Sequence, residues 1–503
     1  MRKESAIIIG ETGLTRLTKS HFVLGQRCHK ALHLKKHSPE LAKESSALEL
    51  KLSNEGIEVG KFARKIYPEG ILIDSKDIEI AFQETERNIA AGALTLFEAA
   101  FSFNNVVIRA DILTRQTVNS PWNLYEVKAT TFKSNDEARK NGFRHDIAIQ
   151  VWVLQQSGIK LDGVYLMHLN NECIYPNLAS LFISKDYCAE ITPLLSQIPT
   201  ELEKLKNVLQ TQNVPNTTIG PYCESDCSFK DHCWNHIPKP SVFDIPNCRH
   251  RWKHFEEGRI DVHHLSETDF QSSTHLRVLK CYQEDQSFFD KELAQELLEE
   301  WKYPLSYFDI EAIAYPIPRY PNSRPYQNLP FQFSCHVQHN QSSELEHHEF
   351  LHDENNDPRL AFIIKMLDVI PPSGSIVVYH QTYEISRFKE LARDFAEYAE
   401  AINALIPRVV DLKKVIMDTV YYPEFLGSYS IKTVAPVLLG EQASYHHLEV
   451  SDGIEAMISF QTMLDLDSCN SKKKIRNDLL VYCRQDTLLM VHLHNWLLNR
   501  VLQ

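Results

Sequence analysis

Apolar and polar positions recur along the chain with two periods, and the changes between them mark out its elements. Over Asn54–Tyr67 and His145–Gln156 apolar residues return every three or four positions, which predicts helices. The runs Leu94–Phe101, Val106–Thr114, Trp122–Ala129 and Gly163–His168 alternate or are continuously apolar over short lengths, which predicts strands. That order predicts a mixed sheet flanked by helices. A cysteine-bearing turn follows at Cys223–Cys233, and the proline-bearing stretch Ile237–Pro246 predicts a boundary. Arg249–Trp301 reads as helical and charged. A second α/β pattern then begins, with strands at Leu305–Ile310, Phe331–Val337 and Ser375–Tyr379 and helices near Tyr383–Phe395, Ile454–Leu464 and Arg476–Leu498. The expected organisation is therefore a domain over 1–240, a helical connector over 241–300 and a second domain over 301–503.

A chain of 503 residues exceeds one ordinary core, and 43% hydrophobic with 24% charged residues is a globular composition. The N-terminus has a basic start but an apolar run of only four residues, and no later stretch has the length of a membrane span. The expectation is a cytoplasmic protein with no membrane partner. In that compartment eleven cysteines point to free thiols or metal ligands. Gly10–Gly13 lacks the lysine of a phosphate-binding loop, so no helicase motor is expected. The formal charge of −13 opposes a nucleic-acid partner taken globally, although carboxylate-rich sites contribute to it and Lys472, Lys473, Lys474 and Arg476 form a local basic run. A solvated surface is the alternative reading of that run.

Three groups of residues carry chemistry. In the first, Asp111 lies on one strand and Glu126 and Lys128 on the next; alternation puts Glu126 and Lys128 on one face and turns Val127 to the other. Carboxylates suit a hard divalent cation, and a lysine beside them can polarise water and stabilise charge on phosphate. Acid, apolar, lysine is also the pattern of a solvated strand face. The stretch from Leu17 to Cys233 resembles the RecB-like branch of the PD-(D/E)XK nucleases, on the strength of Glu98, Asp111, Glu126, Lys128 and, on the following helix, Gln150. The resemblance implies a restriction-endonuclease-like mixed sheet, catalysis by Asp111, Glu126 and Lys128 assisted by Gln150, and Mg²⁺ or Mn²⁺ held by Asp111 and Glu126. Two positions depart from the family: Gly60 stands where a metal-binding histidine is usual, with Glu58 or Glu98 as substitutes, and Leu154 replaces an aromatic residue.

The second group is Cys223, Cys227 and Cys233, three thiols in one polar segment, a spacing that favours metal over burial. The segment resembles the cysteine staple of RecB-like iron–sulfur nucleases, which implies a 4Fe–4S cluster held by these three and Cys28. Zinc, with His232, His236 or Cys248 as the fourth ligand, is the alternative.

In the third group, Asp309 and Glu311 flank the core-facing Ile310 at the end of a strand, Glu384 opens a helix after another strand, and Tyr482 and Asp486 lie four apart on a helix. Together they resemble the tyrosine-bearing DEDD exonucleases of the DnaQ-like, RNase H-like class. This implies two divalent metals on Asp309, Glu311, Glu384 and Asp486, a water oriented by Tyr482, and 3′–5′ exonuclease activity. The family has aspartate where this chain has Glu384. Asp411 is the reserve acid, with a helix N-cap as its other reading. Pro316–Ser334 and Gly427–Val434 are similar to a domain of unknown function that follows RecB-like nucleases in bacteria; His380, Ser428, Ser430 and Lys432 fall in matching stretches, and Lys432 is either a phosphate contact or a surface lysine.

The reading is a nuclease of two metal-dependent domains acting on DNA in preference to RNA, partnered by a helicase or another repair or defence protein. Its rivals are a nucleic-acid-binding scaffold with impaired sites and a zinc-binding interaction protein.

Overall fold

A computed structural model describes residues 16–131, 137–224 and 227–503. The apolar run at the N-terminus and Gly10–Gly13 lie outside the described residues. The chain forms two units of mixed α/β structure: one runs through Asn235 and takes back Tyr315–Tyr326, the other comprises His236–Ala314 and Gln327–Gln503. The segment expected as a connector folds within the second unit, where it supplies the helices Arg251–Glu256, Ser273–Glu284 and Lys291–Glu299.

In the first unit the sheet runs in the spatial order Ile71–Leu72, Thr95–Phe103, Val106–Thr114, Trp122–Thr131, Leu161–Leu169, Phe182–Asp186, with Leu17–Thr18 pairing against Val106 and Val107. Trp122–Thr131 and Leu161–Leu169 are parallel, so the helix Glu137–Gln156 between them is a crossover. Its apolar stripe Ile147–Leu154 packs with Leu124, Leu166, Phe22 and Leu205 on one sheet face. On the other face Val59 and Ala63, from the helix Ala47–Arg64, meet Phe97, Ile112, Val127, Met167 and Leu169. The returning segment joins this second face: Ile317 is buried among Val59, Leu169, Cys173 and Leu181, and the Tyr326 hydroxyl donates to the Ala129 carbonyl at 2.9 Å.

In the second unit five strands lie in the order Leu345–Leu351, Asn328–Gln338, Leu305–Ala314, Ile376–Val378, Val409–Asp411. The first three are antiparallel and the last two parallel additions. Phe308 and Ile310 enter a core with Phe333, Phe362 and Phe388. Asp309 and Glu311, on the opposite face by alternation, share a site with Asp486 of the 34-residue helix Cys469–Leu502. Among the described residues no helix is long and apolar enough to cross a membrane.

Candidate functional site

The first site forms where the sheet forks. Ile112–Thr114 pair with Asn123–Tyr125, and the ladder between these strands stops there. Beyond that point the Val127 N–H donates to Asp111 Oδ2 at 2.8 Å, so a side chain replaces the next backbone acceptor. Opposite Asp111, Glu98 has φ 55°, a left-handed conformation that is costly for a residue with a side chain and tends to mark functional positions. Regular alternation fails here: Ala110 faces one core and Ile112 the other.

A cleft of about 400 Å³ opens at the fork, lined among others by Lys19, Gly56, Gly60, Glu98, Asp111, Glu126 and Lys128. Lys128 Nζ lies 2.6 Å from Glu126 Oε1 and 2.5 Å from Asp146 Oδ2, and Lys19 Nζ lies 2.9 Å from Glu126 Oε1 and 3.4 Å from Asp146 Oδ1. Gln150, wholly buried, donates to Glu126 Oε2 at 2.7 Å. Burial works against ionising Glu126, but the two ammonium groups and the Gln150 amide outweigh it and hold the carboxyl below its usual range. Asp111 is pushed up to about 7, by burial first and then by the Glu126 charge. One fixed carboxylate and one responsive carboxyl thus sit side by side.

Asp111, Glu126, Lys128 and Gln150 therefore come together, with Glu98 beside Asp111 and 3.9 Å from Arg64. Glu58 instead faces Arg319, at 3.3 Å, and Gly60 presents open space to the cleft. Lys19 and Asp146 escaped the sequence reading. Asp146 is one turn before Gln150 and was accessible from i, i+4 spacing; Lys19 lies far away in the chain and gives no local signal.

The four cysteines gather on a small apolar cluster. Cys28, Cys227 and Cys233 pack about Ala31, Leu34 and Phe229, and Cys223 is near enough to interact electrostatically with Cys28 and Cys227. Cys28 also caps the helix His29–His37, its Sγ accepting the Ala31 N–H at 3.4 Å. All four thiols are free. Burial, and then the neighbouring sulfurs, push the Cys28 thiol up, and burial does the same at Cys223 and Cys233. Thiolates here need a cation, so the donor set fits a soft metal or cluster. Cys248 is buried in the second unit.

In the second site Asp309, Glu311 and Asp486 bring one carboxylate oxygen each within 4.8 Å of one another. Glu384, only 3% exposed, lies in the first turn of the helix Gln381–Asp394 and has Oε2 buried without a hydrogen-bond partner. His380 caps that helix with φ 136°. Among the described residues no Lys, Arg or His lies within 4.0 Å of any of these four acids. Burial pushes Asp309 up to about 6; burial and then Asp309 push Asp486 up to about 8; Glu311 and Glu384 rise well above the carboxylate range from the same causes. Without cations the cluster must hold protons.

Aromatic hydroxyls border the acids. Tyr445 donates a short hydrogen bond to Asp486 Oδ1, and Tyr482, one turn before Asp486, has its hydroxyl 3.4 Å from Lys432 Nζ. Cys483 Sγ is 3.7 Å from Asp309 Oδ2. Asp411 is an N-cap: Oδ1 accepts the Lys414 N–H at 3.2 Å and Oδ2 the Gln381 N–H at 3.1 Å. Tyr445 and Cys483 were missed; Cys483 adjoins Tyr482 in sequence, whereas Tyr445 lies in a loop with no motif. In the basic run, Lys474 pairs with Glu449 at 3.3 Å and Arg476 with Asp353 at 3.4 Å, so much of its charge is already matched.

Residues 306–430 match a family model described as a domain of unknown function, DUF2779. The match includes Asp309, Glu311 and Glu384 and ends before Tyr482 and Asp486. The chain is 26% identical over 251 residues to an uncharacterized protein of Ureaplasma parvum serovar 3. That alignment covers 43% of this chain and 35% of the other, so the chain spans about a third of the curated relative it matches.

Proposed function

We propose that the protein is a metal-dependent nuclease with two sites, and that the second is a 3′–5′ exonuclease of the DnaQ-like kind. One observation carries this reading: Asp309, Glu311 and Asp486 converge with no Lys, Arg or His within 4.0 Å among the described residues, and Glu384, buried with an unpartnered oxygen, stands close enough to Asp309 to feel its charge. Buried charge of that density is unfavourable unless divalent cations balance it. The strand order, with the third, second, first, fourth and fifth strands side by side, supports an RNase H-like fold for this unit.

Asp309, Glu311, Glu384 and Asp486 would hold two divalent cations, which when bound supply a water-derived nucleophile and polarise the phosphate. Burial keeps the Tyr482 hydroxyl protonated, beside Asp486, where it can orient the attacking water. Water adds to phosphorus, the bond to the 3′ oxygen breaks, and that oxygen leaves as a hydroxyl, releasing a nucleoside 5′-monophosphate. In the first unit Asp111 and Glu126 would hold a cation, Lys128 would stabilise charge on phosphate, and Gln150 fixes the Glu126 carboxylate. The mixed sheet with its crossover helix supports the PD-(D/E)XK reading, and the cysteine set supports an iron–sulfur cluster.

A second reading applies to the first unit alone. Glu126 Oε1 already accepts from both Lys19 and Lys128, an arrangement that favours nucleic-acid binding without turnover. Incubating the protein with end-labelled single- and double-stranded DNA and RNA, with Mg²⁺ or Mn²⁺, tests both. The proposal expects stepwise loss of 3′ nucleotides that Asp309→Asn abolishes and Asp111→Asn leaves intact; intact substrates in every condition would sink it.

A further inference from the structure

We propose that Lys432 is a catalytic residue of the second site, its ammonium pairing with a non-bridging oxygen of the phosphate being cut. The inference rests on the exonuclease reading and deepens it.

Lys432 is the second residue of the helix Ile431–Leu439, whose N-cap is Ser430. A cation there opposes the helix dipole, so the helix itself gives no reason for its charge. The side chain runs to the acid cluster, where Nζ lies 5.2 Å from the ring centres of both Tyr445 and Tyr482. These two rings bracket Asp486: Tyr445 donates to its carboxylate, and Tyr482 precedes it by one turn. Aromatic faces hold an ammonium group without consuming its hydrogens, and among the described residues its one hydrogen bond is the long contact to the Tyr482 hydroxyl. Among the described residues no carboxylate lies within 4.0 Å of Nζ, although Asp309, Glu311 and Asp486 stand close enough to feel its charge. Lys432 is thus a positioned cation with unused donors at the rim of a metal-type site.

Charge balance says what those donors take. Four ionised carboxylates offset two divalent cations, which leaves the single negative charge of a phosphodiester without a counter-charge in the acid cluster. Lys432 supplies it, and as charge builds on the non-bridging oxygens the contact strengthens, as transition-state stabilisation requires.

The test uses the full chain carrying Lys128→Ala, so that only the second site turns over. On a 5′-labelled single-stranded oligonucleotide with Mn²⁺, Lys432→Ala should lower kcat/KM about 100-fold. Lys432→Arg, which keeps the charge, should retain activity within about tenfold. Manganese binding followed by electron paramagnetic resonance should be undiminished in Lys432→Ala, because removing a cation beside the carboxylates cannot weaken their hold on metal. Parental turnover in Lys432→Ala overturns the proposal. So does loss of manganese in that variant with no rescue by arginine, which would make the lysine a support for the acids. If the Lys128→Ala parent degrades nothing, the exonuclease reading fails, and binding of deoxyadenosine 5′-monophosphate with Mn²⁺ decides the lysine alone. Affinity about tenfold weaker in Lys432→Ala upholds the phosphate contact, and unchanged affinity overturns it.

Discussion

The Tyr307 hydroxyl and His494 Nδ1 lie 2.6 Å apart, a buried hydrogen bond between the strand that carries Asp309 and Glu311 and the helix that carries Tyr482 and Asp486. Burial keeps the imidazole neutral, its pKa lowered to about 4, and Trp301 packs on the ring at 4.8 Å. Tyr307→Phe leaves a buried ring nitrogen without its partner and should cost about 1–3 kcal/mol, read from urea unfolding. It should also loosen the second site's grip on Mn²⁺, since the bond fixes the strand-to-helix spacing. An unchanged denaturation midpoint would show that the hydrogen bond contributes nothing to stability.

Metal-free protein should lose stability as pH rises. Asp309 and Asp486 have folded pKa values raised to about 6 and about 8, above their unfolded value, so the folded state binds more protons and is favoured at low pH. That advantage fades between about pH 4 and 8. In EDTA the melting temperature should fall across this window, Asp486→Asn should flatten the fall, and Mg²⁺ or Mn²⁺ should restore stability at its upper end. A profile flat in EDTA but steep with metal would reverse the assignment.

Gly60 should prove costly to the fold and useful to the cleft. It lies inside a helix, and a Cβ there meets no atom within 4 Å, so packing does not require glycine. Gly60→Ala should raise stability by about 1 kcal/mol. Gly60→Leu should keep the fold but fill the space above Asp111 and Glu126 and abolish the first site's cleavage or binding of nucleic acid. Normal function in Gly60→Leu would show that substrate does not pass this helix face.

Cys28→Ser separates two roles of one residue. Serine is a good helix N-cap, so the helix His29–His37 should survive the exchange. A cluster ligand, by contrast, should be lost. Anaerobically purified parent should be brown and contain iron and sulfide; Cys28→Ser should be pale and melt earlier, because metal binding is coupled to folding. Colourless parent protein carrying one zinc per chain would favour the alternative ligand set.

The strands bearing the acids were legible because a strand need be apolar only at every second position, and Asp309 and Glu311 alternate with the core residues Phe308 and Ile310 as Glu126 and Lys128 alternate with Val127. Leu345–Leu351 was not: this edge strand is mostly half-exposed, with Glu346, His347, His348 and Glu349 along it, so no alternation betrays it. The helix Arg359–Val369 was overlooked beside the stronger signals that flank it. Within the sites, groups contributed by neighbouring turns could be inferred from spacing. Lys19 and Tyr445 reach their partners across 107 and 41 residues of sequence, and only the folded chain brings them there.

Tyr315–Tyr326 belongs to the first unit although it follows much of the second in the sequence. A ribosome adding about 5–20 residues per second finishes Asn235 well before it reaches Ile317. During that interval Val59, Leu169 and Leu181 await the side chain that covers them, and the Ala129 carbonyl, next to Lys128, awaits the Tyr326 hydroxyl. The strand that carries Glu126 and Lys128 is therefore completed only when synthesis has passed Asp309 and Glu311. The nascent chain acquires its first site on a schedule set by its second, and a gene cut after codon 240 encodes a domain that never receives its final piece.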